Sequence, residues 1–369
     1  MKTLQLLRQC LVLATIVFGC TVAHSQDGIS KTAIVIGQSV ALTGPSAALG
    51  APFAQGAKLF FDRLNAGGGV NGRKVELVTL DDGGNPATTF ANTQKLLAQG
   101  VLSLFGYYGS LQVTAAYPAI KDSDVLLFAP MSAADEFRGS VYPNVYTLRP
   151  GYSEEAIAIL RHAETLGVRK LAILHAVDGE SLAALEASER IMQSRANLVA
   201  RAPISDVAKV MTAQPESVLL IADPRAAAIA IRDLRAKGFR GPIYAYSNAG
   251  ESLLAEQLGP VGAGVVVVRV VPRSDNQKLP LVRDLQADLL EAKLGKANVY
   301  MLEGYIAARV YTEALRRIPK EPTRAKLKKA IDGLEEVSVG GFRVHFAQDR
   351  VASRLVELSL IDSQGRIRE

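Results

Sequence analysis

The feature that most constrains this chain is a rhythm: short β-branched runs alternate with amphipathic stretches, and the alternation is run through twice. Residues 33–38 (AIVIGQ) read as a first strand, and residues 51–65 as a helix with Phe53, Ala57, Phe60, Phe61 and Leu64 recurring along one face. Residues 75–80 are strand-like, and Pro86 opens a helix to residue 99 with Asn85 as its cap. Segments 101–105, 110–120 and 125–128 continue the pattern. Strands separated by helix-length segments pair in parallel through crossovers, so each such series is an α/β unit. The rhythm restarts with a helix over 153–166 and runs through 170–175, 179–194, 198–202, 217–221, 226–237, 243–246 and 265–271.

Residues 279–334 are almost wholly helical in pattern, broken at Pro319 and Pro322. Strand-like segments at 342–346 and 355–361 close the chain. One α/β domain holding all of this would be crowded, and 369 residues suffice for two. No motif recurs at fixed spacing, which argues against a solenoid.

The amino terminus has the layout of a signal peptide. Lys2 and Arg8 precede or flank an apolar run over 10–20, shorter than the roughly 20 residues a membrane-spanning helix needs. Ala23-His24-Ser25 before Gln26 suits cleavage and release, so residues 1–25 are expected to be removed and the mature chain to be periplasmic. The alternative is lipid anchoring through Cys20, since Val17-Phe18-Gly19-Cys20 resembles a lipoprotein box with a bulky Phe18. Cys10 and Cys20 are the chain's cysteines, so a mature disulfide scaffold and a cysteine-ligated metal are excluded. The formal charge of +6 falls to +4 without the leader, because residues 1–25 carry Lys2 and Arg8 and no acid. On a mixed-sign surface that balance bears on solubility, and no nucleic-acid partner is expected.

Catalytic signatures are missing from the sequence. Gly67-Gly68-Gly69 follows a helix rather than a strand, and neither GxGxxG nor GxxxxGK[ST] is present. His162, His175 and His345 form no HxxH pair, and GxSxG is absent. Asp81-Asp82 with Gly83-Gly84 and Asn85 reads as a capping turn, not a metal site. No enzyme activity, cofactor or metal is expected. Instead, the ends of successive strands carry small and hydroxylated residues: Ser39, Thr43 and Gly44, then Tyr108, Gly109 and Ser110, then Met131, Ser132 and Ala133. In open α/β sheets such positions border the ligand crevice, so these residues are candidate solute contacts.

The segments IGQSVALTGPSAALG, LFGYYGS, LLFAPMSAA and YTLRPGYSEEA, in this order and spacing, resemble the leucine/isoleucine/valine-binding family of type I periplasmic solute-binding proteins of ABC importers. The resemblance covers nearly all the mature chain. It implies two Rossmann-like three-layer lobes with a ligand cleft between them. Residues 31–149 and 277–337 would form the first lobe, and 150–276 and 338–369 the second, with hinges near Arg149-Pro150, Pro272 and Gly340-Gly341. In such proteins hydroxyls and backbone N–H groups of the first lobe hold the solute's carboxylate, and Ser110, Ser132 and Ala133 match those positions. A threonine usual in that loop is replaced here by Ala133 or Ala134. The second lobe departs further: Asp178-Gly179 stands where a tyrosine precedes glycine, Ala222 or Asp223 where an aromatic is usual, and Ser247-Asn248 where an acid meets an α-ammonium. Tyr108 and Tyr152 are then expected to flank the solute. The implied function is binding of a small organic acid or amino acid, an aromatic acid being favoured, by a monomer that serves an inner-membrane ABC permease. The alternative is a ligand-sensing receptor that signals to a membrane partner.

Overall fold

The computed structural model describes residues 26–193, 197–346 and 349–368. Residues 1–25, expected to form a leader and holding both cysteines, lie outside the described residues.

The first lobe is organised on a five-stranded parallel sheet of order β2-β1-β3-β4-β5. Its strands are β1 (Ala33–Val40), β2 (Lys74–Asp81), β3 (Leu104–Phe105), β4 (Leu127–Phe128) and β5 (Val145–Tyr146). Helices α1 (Ala47–Ala66), α2 (Pro86–Ala98) and α3 (Ser110–Ala116) connect them. The Asn85 carboxamide oxygen accepts the N–H groups of Ala87 and Thr88, and Pro86 sits where no N–H is needed. The apolar face of α1 buries Phe53 and Phe61 against Phe105, each burial worth roughly 1.5–3 kcal/mol by transfer.

The second lobe continues through α4 (Tyr152–Thr165), β6 (Lys170–His175), α5 (Gly179–Met192), β7 (Asn197–Pro203), α6 (Val207–Thr212), β8 (Ser217–Ile221), α7 (Pro224–Ala236), β9 (Ile243–Ala245), α8 (Glu251–Leu258) and β10 (Val265–Arg269). Its sheet runs β7-β6-β8-β9-β10 in parallel, and β13 (Glu357–Ile361) and β14 (Ile367–Arg368) extend it antiparallel. Separate apolar clusters fill the two faces of this sheet, giving three layers.

Helices α9 (Pro280–Glu291), α10 (Val299–Arg316) and α11 (Arg324–Asp332) return to the first lobe's core. Helix α10 is apolar nearly all round, as a helix packed on every side must be. A methyl at Gly56 would come to 1.9 Å from the Met301 carbonyl oxygen, and one at Gly304 to 2.0 Å from that of Phe53. Those glycines let α1 and α10 touch backbone to backbone.

One segment sits differently from expectation. The ribbon of β11 (Val337–Val339) and β12 (Phe342–Val344) packs Val339, Phe342, Val344 and Phe346 into the first lobe's core. Residues 338–369 are therefore not a single second-lobe tail; β13 and β14 join the second sheet. Alternating apolar residues announce a strand without saying which sheet receives it. Among the described residues no helix is long and apolar enough to cross a membrane.

Candidate functional site

In both sheets a strand order reverses beside the first strand of the lobe: β2-β1-β3 in one and β7-β6-β8 in the other. The loops beyond β1 and β3, and beyond β6 and β8, diverge there and leave a crevice. The candidate residues sit on these loops and on the segments that follow β4, β5 and β9.

On the first wall, Gly109 adopts φ +101°, and a methyl there would come to 2.1 Å from Gln112 Oε1. Glycine is thus required at the turn that aims Ser110 into the start of α3. Tyr108 is half-buried and joined to Met131 by a parallel backbone bridge, while the Met131 side chain belongs to the lobe's core. Thr43 is exposed, and both its N–H and its hydroxyl donate to Asp81, at 3.2 and 2.6 Å. The Thr43 hydroxyl and the N–H groups of Gly83, Leu42 and Thr43 hold the Asp81 carboxyl down at about 2. Asp82 takes the Gly84 N–H and the hydroxyls of Ser39 and Thr89. Thr43 therefore braces the β1 and β2 loops.

On the second wall, Asp178 caps α5 by accepting the N–H and hydroxyl of Ser181, and Asp223 caps α7 by accepting the N–H groups of Arg225 and Ala226. Ser247 donates its N–H and hydroxyl to Glu155 at 2.9 and 2.7 Å. The Asn248 carbonyl accepts the Tyr300 hydroxyl at 2.7 Å. Asn248 is 6% exposed, and its Oδ1 has no hydrogen-bond partner among the described residues.

The walls are closed on each other. A methyl at Gly179 would lie 2.5 Å from Leu111 Cγ and 3.1 Å from Ser110 Oγ. Ser132 Oγ donates to Glu180 Oε1 at 2.6 Å, and the Tyr152 hydroxyl donates to Glu180 Oε2 at 2.7 Å. The Tyr152 N–H bonds the Ala133 carbonyl, and Ala133 packs into the second lobe's core. Tyr152 itself is fully buried, edge-on to Tyr246 at 5.3 Å. The hydroxyl protons of Ser132 and Tyr152 are thus both engaged by Glu180. Arg190 adds a cross-lobe bridge to Asp135 at 2.5 Å.

Behind the crevice, Arg149 at the first crossing is 4% exposed. It lies 3.7 Å from Glu303 of α10 and 3.9 Å from Glu155 of α4, and bonds Ser247 Oγ. Burial alone would lower its pKa, but Glu303 and Glu155 hold it above the ordinary guanidinium value. Burial pushes Glu155 up to about 7 against the pull of Arg149 and the Ser247 donors, and pushes Glu303 up as well. Two acids thus share the Arg149 guanidinium, and Arg138 acts on Glu155 as well.

Tyr108, Gly109, Ser110, Asp178, Asp223, Ser247 and Asn248 are brought to the facing loops; Thr43, Met131 and Tyr152 are committed elsewhere. Sequence reasoning missed Glu180, Tyr300 and the carboxylates around Arg149. Glu303 carried a signal, as an acid within an otherwise buried apolar stretch of helix. Glu180 carried none beyond standing next to Gly179. Burial and the charges of Glu180, Asp178 and Asp223 hold the Tyr108 hydroxyl well above its ordinary pKa. No group of three or more His, Cys, Asp or Glu side chains suited to a metal occurs among the described residues.

Two lobes that close polar strand-end loops over a crevice define a solute-binding protein. The chain belongs to the periplasmic binding protein family, whose model matches residues 33–366. It is 24% identical over 168 residues to a Leu/Ile/Val-binding protein homolog of Brucella melitensis, covering 44% of either chain. It is 29% identical over 135 residues to a leucine-, isoleucine-, valine-, threonine- and alanine-binding protein of Pseudomonas aeruginosa, covering 36% of either. The matched segments thus span less than half of these curated relatives. An extracellular ligand-binding receptor from Verminephrobacter eiseniae superposes with TM-score 0.84 at 25% identity, covering 92% of this chain and 100% of that one. These relatives are named as binding proteins or ligand-binding receptors.

Proposed function

We propose that this chain is the periplasmic substrate-binding component of an ABC importer. As a monomer it closes on a small amino-acid-sized solute and presents the closed form to an inner-membrane permease. The observation that carries this reading is the meeting of Ser110 and Leu111 with Gly179 across the crevice. Closure driven by a solute requires contacts that both walls make only when closed, and these loops supply them. Tyr108 offers an aromatic face for the solute's body, and Ser110, Asp223 and Asn248 its polar contacts. The relatives' names point to aliphatic amino acids as the first solutes to try.

The test is a thermal-shift screen of mature protein followed by uptake into vesicles carrying the cognate permease. A solute at 100 times its Kd stabilises the folded chain by about 2.7 kcal/mol, and uptake should then require the protein. Tight binding with no stimulated uptake would refute the transport role and favour sensing.

A further inference from the structure

We infer that the hinge carries a second ligand site, apart from the cleft. It takes a small amphipathic anion, a carboxylate on a short apolar body, and its occupation favours the closed lobes. The inference rests on the two-lobed hinge and not on which solute the cleft binds.

A cavity of about 740 Å³, a size suited to a small molecule, is lined by the segments that connect the lobes after β10 and after β12. None of its lining residues belongs to the loops that meet across the crevice. Part of its wall is the first lobe's: Phe342 is buried in that lobe's core, and Leu279 and Leu355 pack half-buried against it. Another part is the second lobe's, where Arg269 of β10 and Glu357 of β13 are register partners in the sheet. Val351, also in the lining, is bridged to Thr147, two residues before Arg149 at the first crossing. The cavity therefore abuts all three crossings, and rotation of the lobes about them must change its shape. A ligand that fits it as it stands in the closed form binds that form better than the open one, and by linkage draws the lobes together.

The lining sets the sign of the ligand. Four guanidiniums face the cavity, those of Arg269, Arg273, Arg343 and Arg354, against the carboxylates of Glu336 and Glu357. Arg269 bonds Glu357 at 2.7 Å, Arg273 bonds Asp275 at 2.7 Å, and Arg354 bonds Glu154 and Asp349. Glu336 lies 3.6 Å from His345, a pairing that carries opposite charges only when the ring is protonated. The Arg343 guanidinium, exposed on β12, makes no hydrogen bond or ion pair among the described residues. Its planar fork of N–H groups matches a carboxylate, which it can hold by two parallel bonds. Pro272, Leu279 and Leu355 offer half-buried apolar surface for the rest of the molecule. A cation entering here would meet four guanidiniums and find Glu357 already bonded.

The experiment titrates mature protein with octanoate by calorimetry, with octylamine as the cationic match. Octanoate should bind at least about tenfold tighter than octylamine, the difference expected for one charge-assisted hydrogen bond. Arg343→Glu, a change at an exposed side chain, should weaken octanoate about tenfold or more without weakening octylamine; if that protein does not fold, Arg354→Gln should shift octanoate in the same direction. Gly179→Val, whose side chain would meet Leu111 across the distant cleft, should hold the lobes apart and weaken octanoate at least about threefold. Saturating octanoate should in turn reduce the radius of gyration of solute-free wild type in small-angle scattering. Octanoate bound no tighter than octylamine, or bound equally by wild type and the folded arginine variant, would overturn the site. Equal octanoate affinity in wild type and Gly179→Val, with an unchanged radius of gyration, would overturn its coupling to closure. Either failure leaves solute binding in the cleft intact.

Discussion

Replacing Arg149 by methionine would leave Glu155 and Glu303 buried together with no cation between them. Removing one partner of a buried ion pair costs about 3–5 kcal/mol. At about 2–4 °C per kcal/mol for a unit the size of one lobe, the melting temperature should drop by roughly 6–20 °C at pH 8. The penalty should depend on pH, and its sign follows from the burial of Glu155. An unfolded glutamate releases its proton near 4.5, whereas the folded chain holds the Glu155 proton to about 7. Between those values the folded state binds the extra proton, so this group's contribution to stability falls as pH rises from about 4.5 to about 7. Without Arg149, which pulls the Glu155 value down, the proton is held still more tightly. At pH 5 the carboxyl is neutral and the missing cation matters little; at pH 8 the full cost applies. Scanning calorimetry of both proteins at pH 5 and pH 8 measures the difference, and adding Glu155→Gln and Glu303→Gln should restore most of the loss at pH 8. An equal drop at both pH values, unrelieved by the glutamine changes, would refute the charge argument and leave only lost packing.

Gly179→Val should leave the melting temperature of solute-free protein nearly unchanged, because the new side chain meets the Leu111 side chain across the cleft rather than its own lobe's backbone. It should instead hold the lobes apart, weaken solute binding about tenfold or more, and enlarge the radius of gyration by small-angle scattering. Gly304→Ala, by contrast, drives a methyl against the Phe53 carbonyl and should destabilise by about 1–3 kcal/mol or more in denaturant titration. Glu251 is buried and held up at about 7, so Glu251→Gln should flatten part of the wild type's loss of stability between about pH 4.5 and 7, followed by melting temperature.

The parallel sheets and helix caps were legible because each depends on a short stretch of chain. Asn85 followed by Pro86 states a helix start, and 217–221 states a buried strand, whatever lies elsewhere. The expected first-lobe membership of 277–337 came from the resemblance, and what packs α10 there, Gly56 and Gly304 facing carbonyls of the opposite helix, is a long-range match with no local mark. The ribbon at 337–344 went astray for the same reason. In the candidate site, loop positions such as Tyr108 and Ser110 could be read from strand ends. The partner of Ser132 could not, since Glu180 lies 48 residues away in the other lobe. Tyr152 looked available because a tyrosine's burial is invisible in sequence; its hydroxyl is satisfied by Glu180 and its ring by Tyr246.

The placement of these contacts also decides which of them can drive closure. The Ala133 carbonyl bonded to the Tyr152 N–H lies beside the first crossing, where rotation of the lobes moves atoms least. Arg149 is at the crossing itself and binds residues of both lobes. Contacts of this kind persist through much of an opening rotation, so they set the hinge and lend little difference between open and closed states. A ligand shifts the equilibrium only through interactions that differ between those states. The leverage therefore belongs to loops that part on opening: Tyr108 to Leu111 on one side, and Asp178 to Glu180 with Asn248 on the other. Glu180 stands between the two groups, tied to Ser132 near the hinge yet carried on the helix whose first residue meets Leu111.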